Sequence, residues 1–213
     1  MSKKMIILIV AVVVIALAGI WFMVKNNSEK GNNNSCTDNG TNTNINESDN
    51  GENNQKSDKK VAIIYFSATG TTEKVATYIK DATGGDIIEI VPKDIYTNAD
   101  LSYNNDNCRA NKEQNDSSAR PAISNNINTD SYDVIYLGYP IWWGDAPKII
   151  LTFLDSHDLS GKTVIPFCTS GGSGIGTSVN YFKKNYKNVN WLDGKKLSTS
   201  KSEVTSWVNG LNY

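Results

Sequence analysis

Hydrophobic and polar positions change rhythm twice along the chain. Met5 to Val24 runs twenty residues without a charge (MIILIVAVVVIALAGIWFMV). At about 1.5 Å of rise per residue, a helix of that length matches a bilayer core of ~30 Å. Trp21 and Phe22 fall where such a helix meets the headgroups, which favour amphipathic aromatics. Lys3 and Lys4 precede the run, so positive charge holds the N-terminus inside and sends the rest of the chain across. Residues 1–24 therefore read as a transmembrane anchor with the bulk extracytoplasmic. A cleaved signal peptide is the alternative, because Ala16-Leu17-Ala18 has the small-residue pattern of a cleavage site, and the product would then be secreted.

Residues 25–58 are the opposite in character, rich in Asn and charged residues, with Ile45 as the one large aliphatic side chain. Such a segment buries too little apolar surface to offset its chain entropy and is expected to be a disordered linker. A flexible coil of about 34 residues reaches ~30–35 Å on average.

From Lys59 to Tyr213 the rhythm becomes that of a folded domain. Val61-Ala62-Ile63-Ile64-Tyr65-Phe66 is a short, continuous apolar run, expected of a strand buried on both faces. Asp86–Val91, Asp133–Tyr139 and Thr163–Thr169 repeat it, and Val189–Leu192 or Lys195–Leu197 supplies a short fifth strand. Helical spacing falls at Thr72–Ala82, Pro147–Ser156, Ile175–Asn185 and Ser202–Leu211. Strands alternating with helices predict an α/β fold, a doubly wound parallel sheet with its site at the carboxyl ends of the strands. A long polar connection, Lys93 to Asn128, separates the second and third strands. Its middle, Ser102–Gln114, has room for a helix that Pro121 would terminate. A connection of that length is usually functional or partly ordered.

Composition narrows the chemistry. The formal charge of −1 excludes a strongly basic nucleic-acid binder. Three Cys without a CxxC pair exclude a disulfide scaffold and the usual zinc ribbon, and one His excludes a multi-His metal site. Cys168 reads as a small core residue and His157 as a helix-end residue.

Three loops, each following a strand, carry the candidate chemistry, and a parallel sheet brings them to one edge. Ser67-Ala68-Thr69-Gly70-Thr71-Thr72 crowds hydroxyls at a strand-to-helix turn, where backbone N–H groups and the helix dipole converge on an anion. The loop has no Lys and so is not a Walker A loop; a single phosphate monoester suits it better than a triphosphate with Mg²⁺. Pro140-Ile141-Trp142-Trp143-Gly144 sets two adjacent indoles at a strand end. One is expected to cap the core and the other to face a flat ring. Thr169-Ser170-Gly171-Gly172-Ser173 lets backbone amides approach a polar ring edge. It lacks the Gly that a nucleophile elbow would need where Ile175 stands.

These residues resemble the flavodoxin family over most of Lys59–Tyr213. Ser67–Thr72 is similar to the family's flavin-phosphate loop, [ST]-x-T-G-x-[ST]. Trp142-Trp143-Gly144-Asp145 resembles its flavin-stacking loop, and Thr169–Ser173 the loop along the pyrimidine edge. Arg109-Ala110, Arg120-Pro121 and Gly138–Gly144 resemble bacterial members that carry an insertion between strands two and three. The resemblance implies strand order 2-1-3-4-5 and bound FMN held by the sixteen residues of the three loops. It also implies a peptide at Gly144-Asp145 that reorients beside flavin N5.

This chain departs from the family in three ways. Its third loop has no aromatic to cover the ring's second face, for which Tyr103 in the insertion is a candidate. The domain is not acidic, with 16 Lys+Arg against 16 Asp+Glu from Lys59 onward, so a less extreme potential is expected. The membrane anchor is not a usual feature. The implied activity is one-electron transfer between redox partner proteins or membrane donors and acceptors, by a monomer. The alternative is an FMN-dependent NAD(P)H:quinone-type oxidoreductase, although no second nucleotide motif is visible.

Overall fold

The computed structural model describes residues 59–213. The anchor expected over 1–24 and the linker over 25–58 lie outside the described residues. Among the described residues no helix is long and apolar enough to cross a membrane.

Five strand positions form one parallel sheet. β1 (Val61–Tyr65) lies between β2 (Asp86–Glu89), at one edge, and the central strand β3 (Val134–Pro140), whose other side pairs with β4 (Thr163–Thr169). The fifth position holds two short pieces, β5 (Asn190–Trp191) and β6 (Lys195–Lys196), both paired with β4. The order 2-1-3-4-5 is that of a doubly wound sheet. The helices are α1 (Thr71–Thr83), α2 (Arg109–Asn115), α3 (Lys148–Ser156), α4 (Gly176–Asn185) and α5 (Lys201–Asn209).

Alternation along the strands builds two cores. Ala62, Ile64, Ile135, Leu137, Tyr139, Val164 and Cys168 face α3, α4 and the insertion. Ile63, Tyr65, Val134, Tyr136, Ile165 and Phe167 face α1 and α5. Both faces being apolar, the strands read as unbroken hydrophobic runs, as parallel sheets covered by helices do. On α1 the buried positions Thr72, Val75, Ala76 and Ile79 follow helical spacing. Gly138 is required by packing: a Cβ there would lie 2.1 Å from Phe167 Cζ, its cross-strand partner in β4.

Both sequence candidates for the fifth strand are used, and β4 explains why neither is complete. Trp191 pairs with Val164 and Lys195 with Phe167, so four steps on the edge face three on β4. The extra residue lies opposite Pro166, which has no N–H to offer a ladder. Gly194 sits at this bulge, where a Cβ would come within 2.9 Å of the Pro166 carbonyl oxygen.

β2 stops at Glu89, two residues before the expected Val91. There the chain trades strand pairing for the insertion: Val91 N–H donates to Asn125 Oδ1 (3.0 Å), and Asn125 Nδ2 donates to the Glu89 carbonyl (2.8 Å). Pro92 and Ile123 then bridge antiparallel, closing the insertion into a loop anchored at its base. Its helix begins at Arg109 rather than Ser102, because Ala99–Asn107 is taken up by successive turns. Arg120 bonds Asp155 on α3 (2.5 Å), tying the insertion to the scaffold.

Candidate functional site

The first loop is shaped by the exit from β1. Phe66 N–H still donates to Gly138 O (2.9 Å), and the chain then leaves the sheet. Gly70 turns it into α1 at φ 81°, a left-handed conformation that costs glycine nothing. No side chain caps this end of α1, so its first N–H groups and the positive end of the helix dipole face outward through the loop. Thr69 and Thr71 bring their hydroxyls within 3.5 Å of each other. The buried hydroxyls of Thr72 and Thr169 share a hydrogen bond of 2.8 Å, which sews the first loop to the third.

The second loop is a hairpin turn at the end of β3. Trp142 N–H donates to Asp145 O (2.9 Å) and Asp145 N–H returns the bond to Trp142 O (3.0 Å). Trp143 at φ 47° and Gly144 at φ 80° occupy the two central positions, as in a type I′ turn. Trp143 is the one described non-glycine residue at positive φ, a placement that costs about 1–2 kcal/mol and needs support from its surroundings. Support comes from Trp142 and from the insertion. Trp142 is 5% exposed, its ring edge-on to Phe66 (5.6 Å) and to Tyr96 (5.0 Å). Gln114 on α2 donates through Nε2 to the carbonyls of Trp142 (3.0 Å) and Ala146 (3.3 Å), gripping both ends of the turn.

Of the two indoles, Trp142 caps the core as expected, and Trp143 is the more exposed. Trp143 is 38% exposed, and the ring of Tyr103 packs beside it at 4.6 Å between centroids, tilted by 32°. Tyr96 is itself locked in place: its hydroxyl donates to Glu113 Oε2 (2.5 Å), and the Arg109 guanidinium lies 4.1 Å over its ring. Burial, with that hydrogen bond and the Glu113 charge, raises its phenol well above the usual range.

The third loop continues β4. Ser170 Oγ accepts from Gly172 N–H (3.2 Å), and Lys196 Nζ donates to Gly172 O (3.0 Å). Beneath it Cys168 is fully buried. Burial pushes its thiol up to about 12, against the opposing charge of Lys196. It stays protonated near neutral pH and serves as a small core residue. His157 ends α3, its ring nitrogens facing the carbonyls of Phe153 (2.8 Å) and Ile127 (3.0 Å), and lines no part of the cleft described next.

The three loops meet at a cleft of about 620 Å³, within the ~300–1,000 Å³ usual for small-molecule sites. Ser67, Ala68, Thr69, Thr71 and Thr72 line one end. Pro140, Ile141, Trp142 and Trp143 form a wall, and Thr169, Ser170 and Gly171 a lip. Gly70 and Gly144 shape their turns without lining the cleft, and Gly172 and Ser173 lie outside its lining. No charged side chain lines it.

Five lining residues were missing from the expected set altogether. Asn98 and Leu101, with the candidate cover Tyr103, come from the insertion, whose polar composition gave no sign of where it folds. Leu197, Ser198 and Thr199 follow β6. Their signal was available: Ser200 caps α5, accepting from Glu203 N–H (3.4 Å), and Glu203 reaches back to Ser198 N–H (3.3 Å). The Ser200–Glu203 spacing is the sequence pattern of a capping box, although Glu203 bonds Ser198 rather than the cap's own N–H, and it marks one more strand-to-helix turn at the same sheet edge. The cleft joins an anion cradle built from neutral donors to an exposed indole, and so suits a flat ring carrying a phosphate.

The family pattern described as Flavodoxin matches residues 60–211. A crystal structure of a protein from Bacteroides eggerthii, assigned as a flavoprotein, is 46% identical with a TM-score of 0.67, over 71% of this chain and 96% of that one. Another from Bacteroides uniformis, assigned likewise, is 43% identical with a TM-score of 0.69, over 71% and 98%. A flavoprotein from Lactobacillus acidophilus, solved in complex with FMN, is 28% identical with a TM-score of 0.50, over 70% and 98%. No curated protein matches the chain.

Proposed function

Because the chain belongs to the flavodoxin family, we propose that its cleft holds FMN and that the folded domain works as a one-electron carrier. The observation that carries this reading is the meeting, in one cleft without lining charges, of the uncapped α1 N-terminus and the exposed Trp143 indole. The hydroxyls of Ser67, Thr69, Thr71 and Thr72, with the first N–H groups of α1, take the phosphate. The roughly half-unit positive charge of the helix end and the neutral donors offset its negative charge. Trp143 stacks on the ring, and the Ser170–Gly171 backbone meets its polar edge. When bound, FMN supplies the redox chemistry, and the chain's contribution is position and electrostatics. The Gly144–Asp145 peptide suits the ring's reactive nitrogen, because the space around Gly144 is open and glycine accepts both peptide orientations. The Lactobacillus relative solved with FMN supports the choice of cofactor.

The purified chain is expected to be yellow, with the absorbance of oxidised flavin. Colourless protein that refuses added FMN would overturn the reading. A carrier, unlike an NAD(P)H:quinone oxidoreductase, keeps its colour when mixed with NADPH alone; rapid bleaching would favour the enzyme. Residues 5–24 then act as the tether, with the domain on the extracytoplasmic face of the membrane, meeting redox partner proteins as a monomer. Protease added to intact cells should remove the domain if that orientation holds.

A further inference from the structure

Lys196 is tied to the outer side of the lip of this cleft, whose lining carries no charge, by a route that the edge strand dictates. The extra residue opposite Pro166 slides the register of the fifth strand position, so that Lys196 rather than Lys195 pairs with Cys168. That places Lys196 beside the exit of β4, one residue before Thr169 begins the lip. Its Nζ donates to the Gly172 carbonyl at 3.0 Å. The same glycine's N–H is held by Ser170 Oγ at 3.2 Å, and Ser170 and Gly171 line the cleft. Lys196 thus pins the lip from outside and leaves its positive charge there. Cys168 registers that field, since Lys196 counteracts the upward effect of burial on its thiol.

We propose that Lys196 is a positioning residue that sets the redox potential of the bound flavin. The inference rests on the FMN reading of the cleft. The lip meets the polar edge of the ring, where negative charge gathers on two-electron reduction. A cation held on the residue next to Gly171 of that lip favours the reduced ring and leaves the neutral oxidised ring almost untouched. Binding and reduction are linked, so the bias raises the potential by as much as it tightens binding of the reduced cofactor. The phosphate lies at the far end of the cleft and contributes equally to both states. The balanced charge of the domain, 16 against 16 from Lys59 onward, fits this, because it adds no net negative field to offset the lysine.

The test is a spectroelectrochemical titration of FMN-loaded wild type, Lys196→Gln, Lys196→Arg and Lys187→Gln. Lys187 lies past the C-terminal end of α4, ten helical residues or ~15 Å along the helix from the lip. That is beyond the ~10 Å screening length at 0.1 M salt, so it is a control of equal charge change. Lys196→Gln should bind reduced FMN about 3- to 10-fold more weakly, up to ~30 mV lower in two-electron potential, and oxidised FMN within about twofold of wild type. Lys196→Arg should keep the wild-type potential. The gap should shrink toward zero at 1 M salt, where screening acts over ~3 Å. An unchanged potential in Lys196→Gln, a drop no larger than that of Lys187→Gln, or an equal drop in Lys196→Arg would overturn the proposal while leaving the FMN reading intact. Wild-type protein that binds no FMN would instead overturn that reading.

Discussion

The two ends of the cleft are built in different ways. The cradle at Ser67–Thr72 is one strand, one turn and one helix start, contiguous in the chain, with its donors supplied by backbone geometry. The aromatic wall at Trp142–Asp145 is also a short turn, but a strained one, held in shape by Tyr96 and Gln114 from an insertion whose residues are 28 to 46 positions away. A site can thus join a locally encoded half to a half that exists only once distant chain segments have packed. The cradle should tolerate most changes outside its own six residues; the wall should respond to changes far from the ligand.

The largest effect expected from this contrast is on Trp142→Ala. Emptying the space between Phe66 and Tyr96 should cost about 3–5 kcal/mol of stability, as for other buried large aromatics. Chemical denaturation should report it, and a loss under 1 kcal/mol would mean that the wall does not lean on its buried indole. Next is Thr72→Val, which leaves the Thr169 hydroxyl buried without its 2.8 Å partner. It should cost ~1–2 kcal/mol and loosen the tie between cradle and lip.

Trp143→Ala inverts the pattern of its neighbour. With 38% exposure, it should change stability little. Loss of its stacking should weaken FMN binding by about 2- to 10-fold, corresponding to ~0.5–1.5 kcal/mol, as measured by fluorescence titration. Equal effects of the two Trp substitutions on stability would erase the division of labour between them.

The smallest effect is at the tie between insertion and scaffold. Burial works to raise the Asp155 carboxyl, but hydrogen bonds from Arg120 and Tyr186 and the Arg120 charge take it below its ordinary value. A depressed carboxyl stabilises the fold above the ordinary carboxylate range of ~4. That contribution is lost as pH falls through the depressed value. Asp155→Asn should therefore be less stable than wild type at pH 7, by no more than ~1 kcal/mol for so exposed a pair. The difference should vanish in strong acid, and a gap that persists there would exclude the ion pair as its cause.

Much of this protein was legible before any packing was known. Strands buried on both faces declared themselves as apolar runs, and hydroxyl, indole and glycine clusters after the first, third and fourth strands marked three turns that a parallel sheet must gather at one edge. These signals are local, carried by side-chain periodicity and by the backbone demands of neighbouring residues. Only the tertiary structure decided which Trp of the pair is the anchor, because that depends on Phe66 and Tyr96 closing round one indole and leaving the other open. Only it showed that the fifth strand position breaks opposite Pro166, and that the break carries Lys196 to the lip. Ladder pairing and core packing join residues far apart in the chain, and their outcome depends on both partners at once.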